Sequence, residues 1–468
     1  MPCVTHVAII GGGPGGYEAA LVAAQLEAEV TVVDTDGIGG SAVLTDCVPS
    51  KTLIATAEVM TQTEVAGELG ITFGVEPDGS ADRTADASVD LAAVNQRVLG
   101  LADAQSKDIA QRLEREGVTL VRGHGRLDGP EKVVVDTGSG EQVVEADVVL
   151  VATGAAPRTL PSAQPDGERI LTWEQVYALE AMPEHLVVVG SGVTGAEFAG
   201  AYNALGCEVT LVSSRDRVLP GEDADAAEVL EQVFHRRGMT VLGKSRMAGV
   251  ERRGDSVLVS LEDGRTVEGS HCLLALGSVP NTSSLALDTA GVTTDDGGFV
   301  KVDRVSRTSA RGVYAAGDCT GVLMLASVAA MQGRIAMWHA LGDAVSPLDL
   351  KSVSSNVFTA PEIATVGWSQ RAVDAGEIEA EAVTLPLATN ARAKMQGVQD
   401  GFVKLLARPG TGIVVGGVVV APRASELIHA ISIAVGQNLT VDQLAGVFTV
   451  YPSMSGSVAE AARRLHRR

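Results

Sequence analysis

The sequence predicts an α/β protein built from two Rossmann-like βαβ domains of one design, followed by an α+β domain. Three observations predict it. An apolar strand, a Gly-x-Gly-x-x-Gly loop and a helix-forming run occur in that order twice, at Gly11-x-Gly13-x-x-Gly16 and at Gly190-x-Gly192-x-x-Gly195. Each copy continues into a second apolar strand. From Lys351 the pattern changes to alternating strands, such as 402–406 and 413–420, with helices after Ala424.

The first copy opens with a strand over 7–10, the glycine loop, a helix over 17–26 and a strand over 30–33 that ends at Asp34. Glycines at these spacings allow a tight turn, close backbone approach to a pyrophosphate and close helix packing, with the helix N-terminus facing the phosphates. Asp34 stands where an acid accepts hydrogen bonds from ribose hydroxyls. A lone glycine loop also occurs as an ordinary strand–helix turn; the strand, the helix and the acid together point to a dinucleotide. The chain then runs through a helical region from Lys51, a polar acidic stretch near 76–90 and a second helical region to Glu116. Pro77-Asp78-Gly79-Ser80 within that stretch reads as a surface loop. A strand over 148–151 leads to Ala152-Thr153-Gly154.

The second copy has strands over 186–189 and 209–212 around its loop and helix. The position matching Asp34 is Ser213, followed by Ser214, Arg215 and Arg217. A carboxylate would repel a 2′-phosphate, whereas hydroxyls and guanidinium groups bind it, so NADPH is expected ahead of NADH. The bland alternative is that the arginines are solvated surface charges. After this copy come Val313-Tyr314-Ala315-Ala316-Gly317-Asp318, a helical run to about 341 and a boundary near Ser346-Pro347.

Composition narrows the function classes. Net charge is −22 and aromatics are 3%, which oppose nucleic-acid or anionic-membrane partners and base stacking. No run of about twenty apolar residues predicts an integral membrane segment, and the N-terminus does not read as a signal peptide. Cys3, Cys47, Cys207, Cys272 and Cys319 show no pairing framework or metal spacing, which suits a cytoplasmic protein and predicts no metal site. Cys207, Cys272 and Cys319 read as small buried hydrophobes, and His339, His429 and His466 as structural or exposed.

The segment Gly39-Gly40-Ser41-Ala42-Val43-Leu44-Thr45-Asp46-Cys47-Val48-Pro49-Ser50-Lys51 resembles the redox segment of the pyridine nucleotide-disulfide oxidoreductases. The likeness extends over nearly the whole chain, through both fingerprints, Ala152-Thr153-Gly154, Gly317-Asp318 and Phe358-Thr359-x-Pro361-Glu362. The resemblance implies an FAD domain over 1–157 and 282–348, an inserted NAD(P) domain over 158–281 and a dimerisation domain over 349–468, in a homodimer. It also implies that Gly40, Thr153, Gly154, Gly277, Gly317 and Asp318 line the cofactors, with Asp318 on the FAD ribityl chain. Lys51 would sit near flavin N5, paired with Glu197, unless that pair is purely structural. The helix beginning near Leu325 and Ala326 would face flavin N1 and O2 with its positive end.

Departures from the family pattern carry the functional expectation. The family has two cysteines in the redox segment; here Ala42 holds the first position and only Cys47 remains. Cys47 reads either as a thiolate that perturbs the flavin or as packing volume. The family's catalytic histidine and its orienting glutamate match Tyr451 and Gly456, and a tyrosine that titrates near ~10 is no comparable base near neutral pH. Gly277-Ser278-Val279-Pro280-Asn281 also lacks the family's arginine. The expected activity is electron transfer from NADPH, or NADH, through FAD directly to a small acceptor, a quinone ahead of others. The alternatives are transhydrogenation between nicotinamide nucleotides and a non-catalytic flavin-bearing subunit.

Overall fold

In the computed structural model, which describes residues 4–66, 69–71 and 88–466, the strand His6–Ile10 is apolar and buried from its second residue onward. It pairs in parallel with Glu29–Asp34 on one side and Val148–Val151 on the other. Val313–Ala315 and Thr119–Arg122 complete a five-stranded parallel sheet. Both faces are covered, which is why these strands read as continuous apolar runs. One face packs on Val22, Leu113 and Met337, and the other on Leu127, Val133 and Val300. Leu127 and Val133 belong to a three-stranded antiparallel sheet over His124–Leu127, Lys132–Asp136 and Glu141–Glu145. The helices Pro14–Gln25 and Ala326–Ala340 cross closely, since a Cβ on Gly333 would fall 2.0 Å from the Gly15 carbonyl oxygen. All of this lies in one compact unit of Met1–Thr52, Asn95–Arg158 and Leu276–Asp349.

The second unit holds Leu53–Val94, Thr159–Ala275 and Leu350–Arg468. It repeats the parallel design in a sheet ordered Thr240–Leu242, Glu208–Val212, His185–Val189, His271–Leu274 and Ile170–Thr172. An antiparallel three-stranded sheet over 247–269 accompanies it. The C-terminal part is a five-stranded antiparallel sheet with Val414–Ala421 in its centre, every residue of that strand buried. Val403, Leu405 and Val419 on it pack against Ile428 and Ile431 of the helix Ala424–Gly436 and Val458 of the helix Gly456–Leu465. The α/β class, the two parallel sheets and the C-terminal antiparallel sheet with its helices agree with the sequence expectation. The loop expected over 77–80 lies outside the described residues. Among the described residues no helix is long and apolar enough to cross a membrane, and no group of side chains could hold a metal ion.

Candidate functional site

Both glycine loops separate the demands of the fold from those of a ligand. Gly11 has φ +107°, and a Cβ there would lie 2.2 Å from the Ala152 carbonyl oxygen. A Cβ on Gly16 would lie 1.9 Å from the Gly11 oxygen. These two glycines are required by the chain itself. Gly13 differs: its φ of −70° suits any residue, and a Cβ would meet nothing nearer than 3.9 Å. The second loop repeats this. Cβ atoms on Gly190 and Gly195 would fall 2.1 Å and 1.8 Å from backbone oxygens, while one on Gly192, at φ −71°, would meet nothing within 4 Å. Neither following helix has a side-chain N-cap. An open cradle before uncapped N–H groups fits a pyrophosphate.

Around the first loop, Asp34 ends its strand with both carboxylate oxygens engaged. Oδ2 accepts the Gly12 N–H at 2.6 Å, and Oδ1 accepts those of Asp36 at 2.9 Å and Gly37 at 2.6 Å. This fixes the carboxylate beside the loop with lone pairs left for ribose hydroxyls. Gly40 sits at φ +55° with its Cβ position 2.8 Å from Gly13 Cα, so the redox segment starts against the glycine loop. Thr153 and Gly154 are tied to Asn281: Thr153 Oγ1 donates to its carbonyl at 2.7 Å, and its Nδ2 donates to the Thr153 carbonyl at 3.0 Å. Gly277 has φ +87° and accepts the Arg158 N–H at 2.9 Å, where the strands Ala155–Pro157 and Ser278–Pro280 pair.

Asp318 follows Gly317, whose N–H is held by buried Gln332 at 2.9 Å. Burial, helped by the Asp46 charge, pushes the Asp318 carboxyl up to about 6. A carboxylate desolvated in this way gains from hydroxyl donors, which is the chemistry of a ribityl chain. The helix Ala326–Ala340 begins after Leu325 with no side-chain cap and no acid in its first turn. Its N-terminus is therefore open to an electron-rich group.

Cys47 and Lys51 lie in the first turns of the helix Cys47–Ala66, and Ala42 lies in the short helix Gly40–Leu44. Lys51 Nζ donates to Ser50 Oγ at 3.2 Å. Cys47 is half-buried and forms no disulfide. Cys207, Cys272 and Cys319 are buried, Cys272 in the strand His271–Leu274 and Cys319 in the turn Asp318–Thr320. Burial pushes the Cys207 thiol up to about 12 and that of Cys319 to about 11, so neither supplies a thiolate at neutral pH.

The second loop differs from expectation at one residue. Ser213 is fully buried. Its hydroxyl meets Ser191 Oγ at 2.7 Å and accepts the Arg215 N–H at 3.1 Å. It closes the turn, while Ser214 and Arg215 are exposed beside it. Glu197, on the helix Val193–Ala204, is buried and its Oε1 accepts the Phe358 N–H at 2.8 Å. The C-terminal domain thus orients this carboxylate, a contact that no local pattern in the sequence signals. Tyr451 is 87% exposed, with exposed Val447, Phe448 and Val450 before it. Four apolar side chains in one short segment make a surface that association would cover.

Residues 5–333 match the family described as pyridine nucleotide-disulphide oxidoreductase, and residues 353–462 match its dimerisation domain. The latter supports a homodimer. The chain is 56% identical over 473 residues to a protein of Mycobacterium tuberculosis named NAD(P)H dehydrogenase (quinone), covering 99% of this chain and 94% of that one. It is 33% identical over 465 residues to dihydrolipoyl dehydrogenase 2 of Haloarcula marismortui, covering 98% of this chain and 96% of that one. The crystal structure of LpdA from Mycobacterium tuberculosis superposes with a TM-score of 0.93 at 55% identity, over 99% of this chain and 100% of that chain.

Proposed function

The chain belongs to the pyridine nucleotide-disulphide oxidoreductase family, whose members use FAD and NAD(P)H, and we propose that it passes electrons from NADPH to a quinone without disulfide chemistry. The observation that carries the reading is the redox segment, in which Ala42 faces the family's cysteine position and Cys47 has no second sulfur beside it in sequence. Tyr451 and Gly456 in place of the histidine and glutamate support it, as does the quinone named for the Mycobacterium tuberculosis relative. Disulfide turnover needs an attacking thiolate, a second sulfur to resolve the mixed disulfide and a base for the proton. A quinone needs none of these.

In this reading FAD occupies 1–157 and 282–348, NAD(P)H occupies 158–281, and residues 349–468 join two copies in a cytoplasmic homodimer. Gly11, Gly13 and Gly16 admit the FAD pyrophosphate, Asp34 binds the ribose, and Asp318 accepts hydrogen bonds from the ribityl chain. Thr153 and Gly154 would help hold FAD. FAD, when bound, supplies the two-electron chemistry between nicotinamide and acceptor. Lys51 would supply a positive charge to the flavin, and Glu197, anchored by Phe358, would supply a carboxylate held in one orientation. The open helix end at Leu325 and Ala326 would favour negative charge on a bound flavin. Gly192 admits the second pyrophosphate, and Ser214 and Arg215 read the 2′-phosphate. Tyr451 of one copy closes the acceptor side of the other.

An acceptor panel tests the reading. With NADPH as donor, a naphthoquinone should turn over at least about a hundredfold faster than lipoamide or glutathione disulfide, the contribution of one well-placed acid–base group. Comparable turnover of a disulfide, or no quinone turnover by FAD-replete protein, refutes it.

A further inference from the structure

We propose that Lys404 is a positioning residue for the second nucleotide, holding from the C-terminal domain the loop that meets its ribose end. Lys404 lies on the strand Phe402–Ala407 with a side chain only 3% exposed. Its ammonium donates to both oxygens of Asp223 at 2.8 Å and to Asp225 Oδ2 at 2.7 Å. Asp223, equally buried, is the N-cap of the helix Ala224–Arg236 and accepts the N–H groups of Asp225 and Ala226. Glu222 adds a third carboxyl at this point, its pKa raised by burial and by the Asp223 charge. Lys404 is the cation paired with the Asp223 carboxylate in a site closed to water, so removing it leaves that buried carboxylate without its partner.

From the capped helix the linkage reaches the second glycine loop. Glu231 Oε2 accepts the Val218 N–H at 3.1 Å, and the Leu219 N–H donates to the Ser191 carbonyl within the glycine loop at 2.8 Å. Leu219 is buried at φ +49°, a strained conformation for leucine that persists only where neighbours hold it. The same loop carries Arg215 and Arg217, and among the described residues the buried Arg217 Nε has no hydrogen-bond partner. Lys404, Asp223, Glu231 and the 213–220 loop form one connected path within a single compact unit. The inference rests on the reading of 190–220 as the nicotinamide nucleotide site.

The test uses full-length, FAD-loaded Lys404→Met. Titration calorimetry with NADP+ on the oxidised protein should show Kd raised about tenfold, within the range of about 0.5–2 kcal/mol by which such networks modulate a site. KM for NADPH should rise in parallel, while KM for quinone and FAD content stay at wild-type values. Lys404→Arg should recover most of the affinity, because a guanidinium also spans two carboxylates. Asp225→Asn, at an exposed side chain, should give a smaller rise in Kd and serves if the methionine variant does not fold. Wild-type Kd in both Lys404→Met and Asp225→Asn, or no recovery in Lys404→Arg, overturns the inference. If wild-type protein binds neither NADP+ nor NAD+, the nucleotide-site reading itself falls, and the role of Lys404 with it.

Discussion

Gly192→Ala should weaken nucleotide binding while leaving the fold unharmed, and Gly195→Ala should damage the fold first. At Gly192 the backbone angles of φ −71° and ψ −172° suit alanine, and the added Cβ meets nothing within 4 Å. Alanine is a poorer N-cap than glycine by roughly 0.5–1 kcal/mol. Reduced freedom of the unfolded chain returns about 0.4–1 kcal/mol. Net stability should therefore change by less than about 0.5 kcal/mol. The methyl group, however, fills the space in front of the uncapped N–H groups of the helix Val193–Ala204. Loss of one or two hydrogen bonds to a phosphate, at about 1.5–3 kcal/mol each, weakens NADP+ binding by roughly tenfold to ten-thousandfold. At Gly195 the Cβ would lie 1.8 Å from the Gly190 oxygen. That backbone overlap forces the strand–helix turn apart and should cost more than about 3 kcal/mol. Thermal melting and NADP+ calorimetry on FAD-loaded protein separate the two effects. Wild-type NADP+ affinity in Gly192→Ala would refute the assignment of the second loop, as would equal thermal losses in both variants.

Other outcomes follow from the same geometry. Arg215→Glu, at an exposed side chain beside the turn, should lower the ratio of kcat/KM for NADPH over NADH by at least about tenfold, the value of one charge-assisted hydrogen bond. Ser213 is the wrong position for that experiment, because its buried hydroxyl closes the turn. Asp318 controls a pH dependence of the FAD-free protein: its carboxyl is raised from 3.8 to about 6, so its favourable contribution is full below about pH 4 and lost as pH rises through about 6. The apoprotein should lose on the order of 2–3 kcal/mol over that window, visible in urea unfolding, and Asp318→Asn should flatten the profile while weakening FAD binding. Phe448→Asp should shift the dimer towards monomer in light scattering, since the side chain is fully exposed in a single copy and its burial is worth about 2–3 kcal/mol per copy.

Much of the site was legible because its demands are local. The glycine spacings, Asp34 and the strand before each loop lie within a few turns of chain, and continuous apolar runs announced the doubly covered parallel strands. The departures at Ala42, Tyr451 and Gly456 needed only register against the family pattern. The missing parts are contacts between distant residues. Glu197 meets Phe358 across 161 positions, and Lys404 meets Asp223 across 181. No periodicity encodes such partners; a lysine in an apolar strand looks like an edge or surface residue until its carboxylates are found. Ser213 misled for a different reason. It directly follows the strand Glu208–Val212, where a serine bonds its own turn more readily than a ligand. The short antiparallel sheets at 124–145 and 247–269 have mixed, half-exposed strands whose alternation is too brief to stand out.

The account turns on one claim: no cysteine pair lies between the flavin and the acceptor. Anaerobic titration of the FAD-loaded dimer with NADPH tests it most directly. With only Cys47 in the redox segment, flavin absorbance should bleach fully at about one equivalent of NADPH per FAD, thiol content should stay constant, and one equivalent of quinone should restore the spectrum. Uptake of a second equivalent together with the appearance of two new thiols per subunit would contradict the account.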